Sequence, residues 1–208
     1  MLRILLVVLL FVSLPLAAAE PRPLLVLGDS LSAAYGLAPQ EGWVALLAER
    51  VQSSKAPIRK IVNASISGET SAGGLARLPA LLAEHKPALV VIELGANDGL
   101  RGLPLAQLRD NLAKILAATR AAGARAVLVG IELPINYGPQ YRDGLRELYR
   151  GLAHEFNVPL VPFLLEGVAL DPALMQDDGL HPKAAAEPRV LENVWKVLEP
   201  ALKALPKG

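Results

Sequence analysis

Only three histidines occur in the 208 residues, so the search for a general base is short. His181 alone has a carboxylate at a suggestive spacing, Asp178 in Asp177-Asp178-Gly179-Leu180-His181-Pro182. Across a turn, a carboxylate three residues away can reach one imidazole nitrogen and leave the other facing outward. It would then fix the tautomer and stabilise an imidazolium formed during catalysis. On spacing alone, an exposed Asp-Gly turn followed by an incidental histidine is the commoner explanation. His154 falls roughly opposite the apolar stripe of its helix, which places it in solvent. His85 closes a helical segment before Pro87, where it can interact with the last carbonyls.

Ser30, in Gly28-Asp29-Ser30-Leu31-Ser32, is the nucleophile candidate. Alone it also reads as a serine capping the helix after a strand. Ser32 stands where a Gly-x-Ser-x-Gly elbow needs glycine, which argues against an α/β-hydrolase. Asn97, in Gly95-Ala96-Asn97-Asp98, is either an amide donor or an Asx-turn former. Gly68, in Ser65-Ile66-Ser67-Gly68-Glu69-Thr70, offers a backbone N–H or simply a positive φ angle.

These residues follow apolar runs. Leu24–Leu27 precedes Ser30, Ile61-Val62 precedes Gly68, and Leu89–Ile92 precedes Asn97; Ala126–Val129 repeats the theme. Continuous hydrophobicity predicts strands buried on both faces of a parallel sheet. A fifth run, Val158 to Val161, is bracketed by Pro159 and Pro162, whose missing N–H donors place it at a sheet edge. Between the runs lie helical stripes: Leu105, Leu108, Leu112, Ile115 and Leu116, closed by Gly123, then Tyr141, Leu145, Leu148, Leu152 and Phe156. A final helix is expected from about Ala184 to Leu205, with Pro188 disturbing its first turn. The predicted fold is α/β: a three-layer αβα sandwich around a doubly wound, mostly parallel five-stranded sheet of flavodoxin-like type. Such sheets carry their sites at the carboxyl ends of the strands, where the polar segments gather here.

Composition narrows the classes further. With 52% hydrophobic and 20% charged residues the chain is not disordered. Its 21 basic and 20 acidic residues nearly cancel, with no basic stripe for nucleic acid and no polybasic run for a membrane. Arg3 followed by an apolar run from Ile4 to Leu16 and Ala17-Ala18-Ala19 has the layout of a secretory signal peptide cleaved before Glu20. Those 13 apolar-region residues, interrupted by Pro15, fall short of the roughly 20 needed to span a bilayer. Residues 20–208 are then one domain, expected as a soluble periplasmic or secreted monomer. The chain has no cysteine, which excludes thiolate metal sites, thiol nucleophiles, disulfides and a lipoprotein anchor.

Taken together, the four segments resemble the SGNH, or GDSL, hydrolase family. Ser30, Gly68, Asn97 and the Asp178-x-x-His181 pair stand in four blocks in the family's order, between about Leu24 and Trp195. Ala76–Leu82 and Met175–Pro182 are similar to the bacterial multifunctional subgroup of acyl-CoA thioesterase I, arylesterase and lysophospholipase. Glu69 departs from the aspartate many relatives carry, at a position with no evident catalytic role. The resemblance implies a Ser30–His181–Asp178 triad and an oxyanion hole made by the Ser30 and Gly68 N–H groups and the Asn97 amide. It also implies hydrolysis of aryl esters, acyl thioesters and lysophospholipids without metal or organic cofactor.

Leu133, Pro134 and Tyr137, together with the Gly99–Leu103 loop, are candidates for an acyl groove; ordinary loop packing explains them as well. An apolar groove discriminates acyl length weakly, by roughly 1–3 kcal/mol per methylene. A nucleotide-binding module lacks its Gly-rich fingerprint here. A catalytically silent ligand-binding protein on the same scaffold sits poorly with five intact site residues.

Overall fold

The apolar runs become strands in the computed structural model, which describes residues 22–54 and 56–205. They are β1 (Leu24–Gly28), β2 (Ile61–Asn63), β3 (Leu89–Glu93), β4 (Arg125–Val129) and β5 (Leu160–Val161). All pairings are parallel, in the order β2-β1-β3-β4-β5. This is the doubly wound, flavodoxin-like order, with the switch point between β1 and β3. β1 and β3 are buried along their whole length, as continuous hydrophobicity requires.

The two edges differ from the centre. β5 is cut to two residues, and Pro159 before it contributes only its carbonyl, which accepts from the Leu128 N–H at 2.9 Å. β2 is only half-buried, contrary to the expectation of burial on both faces, because an edge strand has a neighbour on one side only.

Among the described residues six α-helices connect and cover the strands: α1 (Trp43–Ser53), α2 (Ser71–His85), α3 (Ala96–Leu100), α4 (Leu105–Ala121), α5 (Pro139–Phe156) and α6 (Glu187–Lys203). α1 packs on α6, while α2, α4 and α5 pack in series. α5 and α6 both rest on β4 and β5, one from each face, which gives the three layers. Gly123, at φ +70°, ends α4, and Asn157, at φ +52°, ends α5, both in the left-handed conformation common after helices. Pro188 sits in the first turn of α6, where its missing N–H is harmless, and the irregular early turn is the 3₁₀ segment Ala184–Ala186.

Gly74 lets α2 approach the sheet: a Cβ there would lie 2.4 Å from the Leu94 side chain. Among the described residues no helix is long and apolar enough to cross a membrane. The proposed signal segment, Met1–Ala19, lies outside the described residues.

Candidate active site

The chain after β1 turns sharply instead of entering a helix, so Ser30 does not cap one. Glu93, at the end of β3, holds this turn from below: its Oε2 accepts from the Asp29 N–H (3.2 Å) and the Ser32 hydroxyl (2.7 Å). The turn leaves Ser30 half-buried at the strand's carboxyl end.

His181 arrives on a loop braced by two backbone bonds, Gln176 N–H to His181 O (2.8 Å) and Lys183 N–H to Leu174 O (2.7 Å). The Gln176 side-chain amide ties that loop to the Pro182 and Tyr35 carbonyls at 2.9 and 2.8 Å. Asp178 Oδ1 accepts from the Leu180 and His181 N–H groups (2.9 and 3.0 Å), and Oδ2 lies 2.7 Å from His181 Nδ1. His181 Nε2 is 2.8 Å from Ser30 Oγ. Partial burial raises the Asp178 carboxyl, but the hydrogen bonds and the His181 charge outweigh it and hold it below its usual value. An ionised, acceptor-only Asp178 puts the imidazole proton on Nδ1 and leaves Nε2 free to accept from Ser30. The Tyr35 ring packs against the imidazole, with centroids 4.5 Å apart.

The other two predicted residues line the same cavity as Ser30 and His181: Gly68 and Asn97. Gly68 takes φ +79°, so glycine is needed for the turn whichever role its N–H plays. Helix α3, which carries Asn97, is fastened to the start of α2, just after the Gly68 turn, by Asp98, which accepts from Ser71 N–H (2.8 Å) and Ser71 Oγ (2.5 Å). Asn111 adds a bond to Ser71 Oγ at 2.9 Å. The Asn97 amide nitrogen donates to Asp29 Oδ2 at 3.1 Å. Burial pushes the Asp29 carboxyl up to about 6, against the opposing hydrogen bonds from Leu31 and Asn97. Burial, reinforced by the Asp29 charge, pushes Glu93 well above the usual carboxylate range. Glu69 pairs with Arg77 at 2.7 Å and serves the scaffold.

The cavity measures about 270 Å³. Its apolar wall includes Leu100, Ile131, Leu133, Pro134, Phe163 and Leu165. Leu133 and Pro134 thus stand where a groove residue should. Tyr137 is not among the lining residues; its hydroxyl donates to the Leu100 carbonyl at 3.1 Å and ties two rim loops together.

Tyr35 and Glu93 lie in no segment singled out from the sequence, and Asp98 and Gln176 lie inside such segments without a role of their own. Glu93 had one readable signal, a carboxylate directly after four apolar strand residues, where an acid is rarely buried without a partner. His154 is exposed, and His85 ends α2, with its ring 3.6 Å from the Glu84 carboxylate.

Residues 26–187 match the GDSL-like lipase/acylhydrolase family. The chain is 58% identical over 184 residues to Esterase TesA of Pseudomonas aeruginosa, covering 88% of this chain and 91% of that one. It is 48% identical over 192 residues to the Thioesterase 1/protease 1/lysophospholipase L1 of Escherichia coli, covering 92% and 90%. A crystal structure of TesA superposes with TM-score 0.84 at 58% identity, covering 86% of this chain and 99% of that one.

Proposed function

We propose that this chain, which belongs to the GDSL-like lipase/acylhydrolase family and is an ester hydrolase, works through an acyl-enzyme on Ser30. The observation that carries this is the unbroken line from Asp178 through both nitrogens of His181 to Ser30 Oγ, at 2.7 and 2.8 Å. Ser30 Oγ attacks the acyl carbon as its proton passes to His181 Nε2. The carbonyl oxygen takes the negative charge, facing the Ser30 and Gly68 N–H groups and the Asn97 amide. Collapse breaks the bond to the alcohol or thiol, which leaves with the proton from His181. Water then repeats both steps on the acyl-enzyme, releasing the acid and restoring Ser30.

The substrates proposed are aryl esters, acyl thioesters and lysophospholipids: a relative carries the name thioesterase and lysophospholipase, and the apolar cavity wall suits an acyl chain. Ser30→Ala should lose at least ~10³-fold in kcat while melting as the parent does. A fluorophosphonate should add one phosphonyl mass, located on Ser30 by peptide mapping. An adduct on Ser32 or Ser67 would overturn the assignment.

We further propose export as a soluble monomer to the periplasm or medium, with cleavage before Glu20. Amino-terminal sequencing of the soluble exported fraction should begin at or near Glu20. An intact amino terminus recovered with membranes would replace this with an anchor.

A further inference from the structure

We infer that Asp29 is a positioning residue, one that decides which end of the Asn97 side chain faces the reacting carbonyl. The inference rests on the oxyanion role proposed above for Asn97. A carboxamide has nearly the same shape at both ends, yet one end donates and the other only accepts. If the wrong end faced a developing oxyanion, a lone pair would meet negative charge. Something next to Asn97 must therefore choose, and its side-chain partner in the structure is Asp29.

Asp29 is wholly buried, and both of its oxygens are committed. Oδ1 accepts from the Leu31 N–H at 3.0 Å, and Oδ2 accepts from Asn97 Nδ2 at 3.1 Å. An ionised carboxylate has no proton to give, so only the NH₂ end of Asn97 can face it. The same nitrogen then has its second N–H left for the cavity that Asn97 shares with Ser30 and Gly68.

Charge bookkeeping around Asp29 keeps it the ionised member of a buried pair. Glu93 lies beneath it from β3, Asp98 beside it from α3, and His181 across from it on the last loop. Two adjacent buried carboxyls cannot both be charged cheaply, and their surroundings divide the roles. Glu93 is the more strongly raised of the two, while Asp29 has the Leu31 and Asn97 donors and the His181 charge to favour its anion. The aspartate that follows Gly28 is thus a latch on the oxyanion donor, in addition to shaping the turn that presents Ser30.

Asp29→Asn is the direct test. Its oxygen must stay on the Leu31 N–H, which turns its NH₂ toward the NH₂ of Asn97. The clash is relieved when the Asn97 amide flips and presents oxygen to the cavity. The expected result is a ~10²-fold loss in kcat on an aryl ester at pH 8, with KM within a few-fold of the parent. The melting temperature should hold or rise, since a charge is removed from beside Glu93 and Asp98; a merely structural Asp29 would lower it.

The double variant Asp29→Asn/Asn97→Ala should be no slower than Asn97→Ala alone, because the latch has nothing left to hold. Additive losses, or an Asp29→Asn enzyme with parental kcat beside a crippled Asn97→Ala, overturn the inference and leave the catalytic reading standing. A harmless Asn97→Ala sinks both together. Should Asp29→Asn not fold, the unmodified enzyme answers through its Asn97 side-chain NH₂ resonances, assigned by their loss in Asn97→Ala. One proton held on Asp29 should exchange slowly and lie downfield of its partner; an averaged, fast-exchanging pair overturns the inference.

Discussion

An amide and a carboxylate share a shape but not a charge, so Asn97→Asp separates what Asn97 holds in place from what it donates. If Asn97 stabilises an oxyanion, Asn97→Ala should cost ~10²–10³-fold, or about 2.7–4 kcal/mol, mainly in kcat. Asn97→Asp should be at least as damaging. Its carboxylate would face both the oxyanion and Asp29 Oδ2, now 3.1 Å from an amide nitrogen. Were Asn97 only a turn former, aspartate would serve nearly as well and kcat would be kept. At this scale the candidate groups were legible in the sequence, because scarcity singled out His181 and four ordered blocks singled out the rest. Their supports were not. Tyr35 meets His181, and Glu93 at the end of β3 meets the Ser30 turn, only through contacts between segments distant in sequence. No local pattern encodes such a meeting.

Elements meet the site through their ends, and the joint between α1 and α6 has a titratable pin. Glu187, the first residue of α6, accepts from the Trp43 N–H that opens α1 at 2.7 Å. Burial pushes its carboxyl from 4.5 up to about 7, despite that hydrogen bond. Below about pH 4.5 the proton is present in both folded and unfolded chains. Between there and about 7 only the unfolded chain ionises, so the contribution of Glu187 to stability declines as pH rises. Glu187→Gln keeps an acceptor for Trp43 and has no charge to bury. Its melting temperature should match the parent near pH 4.5 and exceed it by pH 8, by at most roughly 3 kcal/mol in stability. A difference that shrinks with rising pH would refute this.

Gly74→Ala probes the opposite face. Alanine favours a helix by up to ~1 kcal/mol over glycine, but its Cβ meets buried Leu94 at 2.4 Å. Overpacking of ~1–3 kcal/mol should win, and thermal melts should show a net loss. The strands and long helices were legible because hydrophobic period alone defines them. The half-burial of β2 was not, since edge position depends on pairing order rather than on the residues of the strand.

For the molecule as a whole, the near balance of 21 basic and 20 acidic residues leaves little long-range field to steer a substrate. Hydrolysis of an anionic aryl ester should therefore change less than about twofold in kcat/KM between low and moderate salt. A steep salt dependence, measured in initial rates, would reveal a local field that the totals conceal. The layered architecture was legible at this scale, because runs buried on both faces demand helices above and below.

The order in which the chain supplies its site has a consequence in time. Ser30 is made early, and its hydrogen-bonded partner His181 comes 151 residues later, just ahead of the helix that closes the fold. On the mechanism proposed above, a chain still leaving the ribosome has its nucleophile but not its base. Activity is then expected only after α6 docks on α1. In refolding from denaturant, activity should never return ahead of the fluorescence of Trp43 and Trp195, which sit on those two helices.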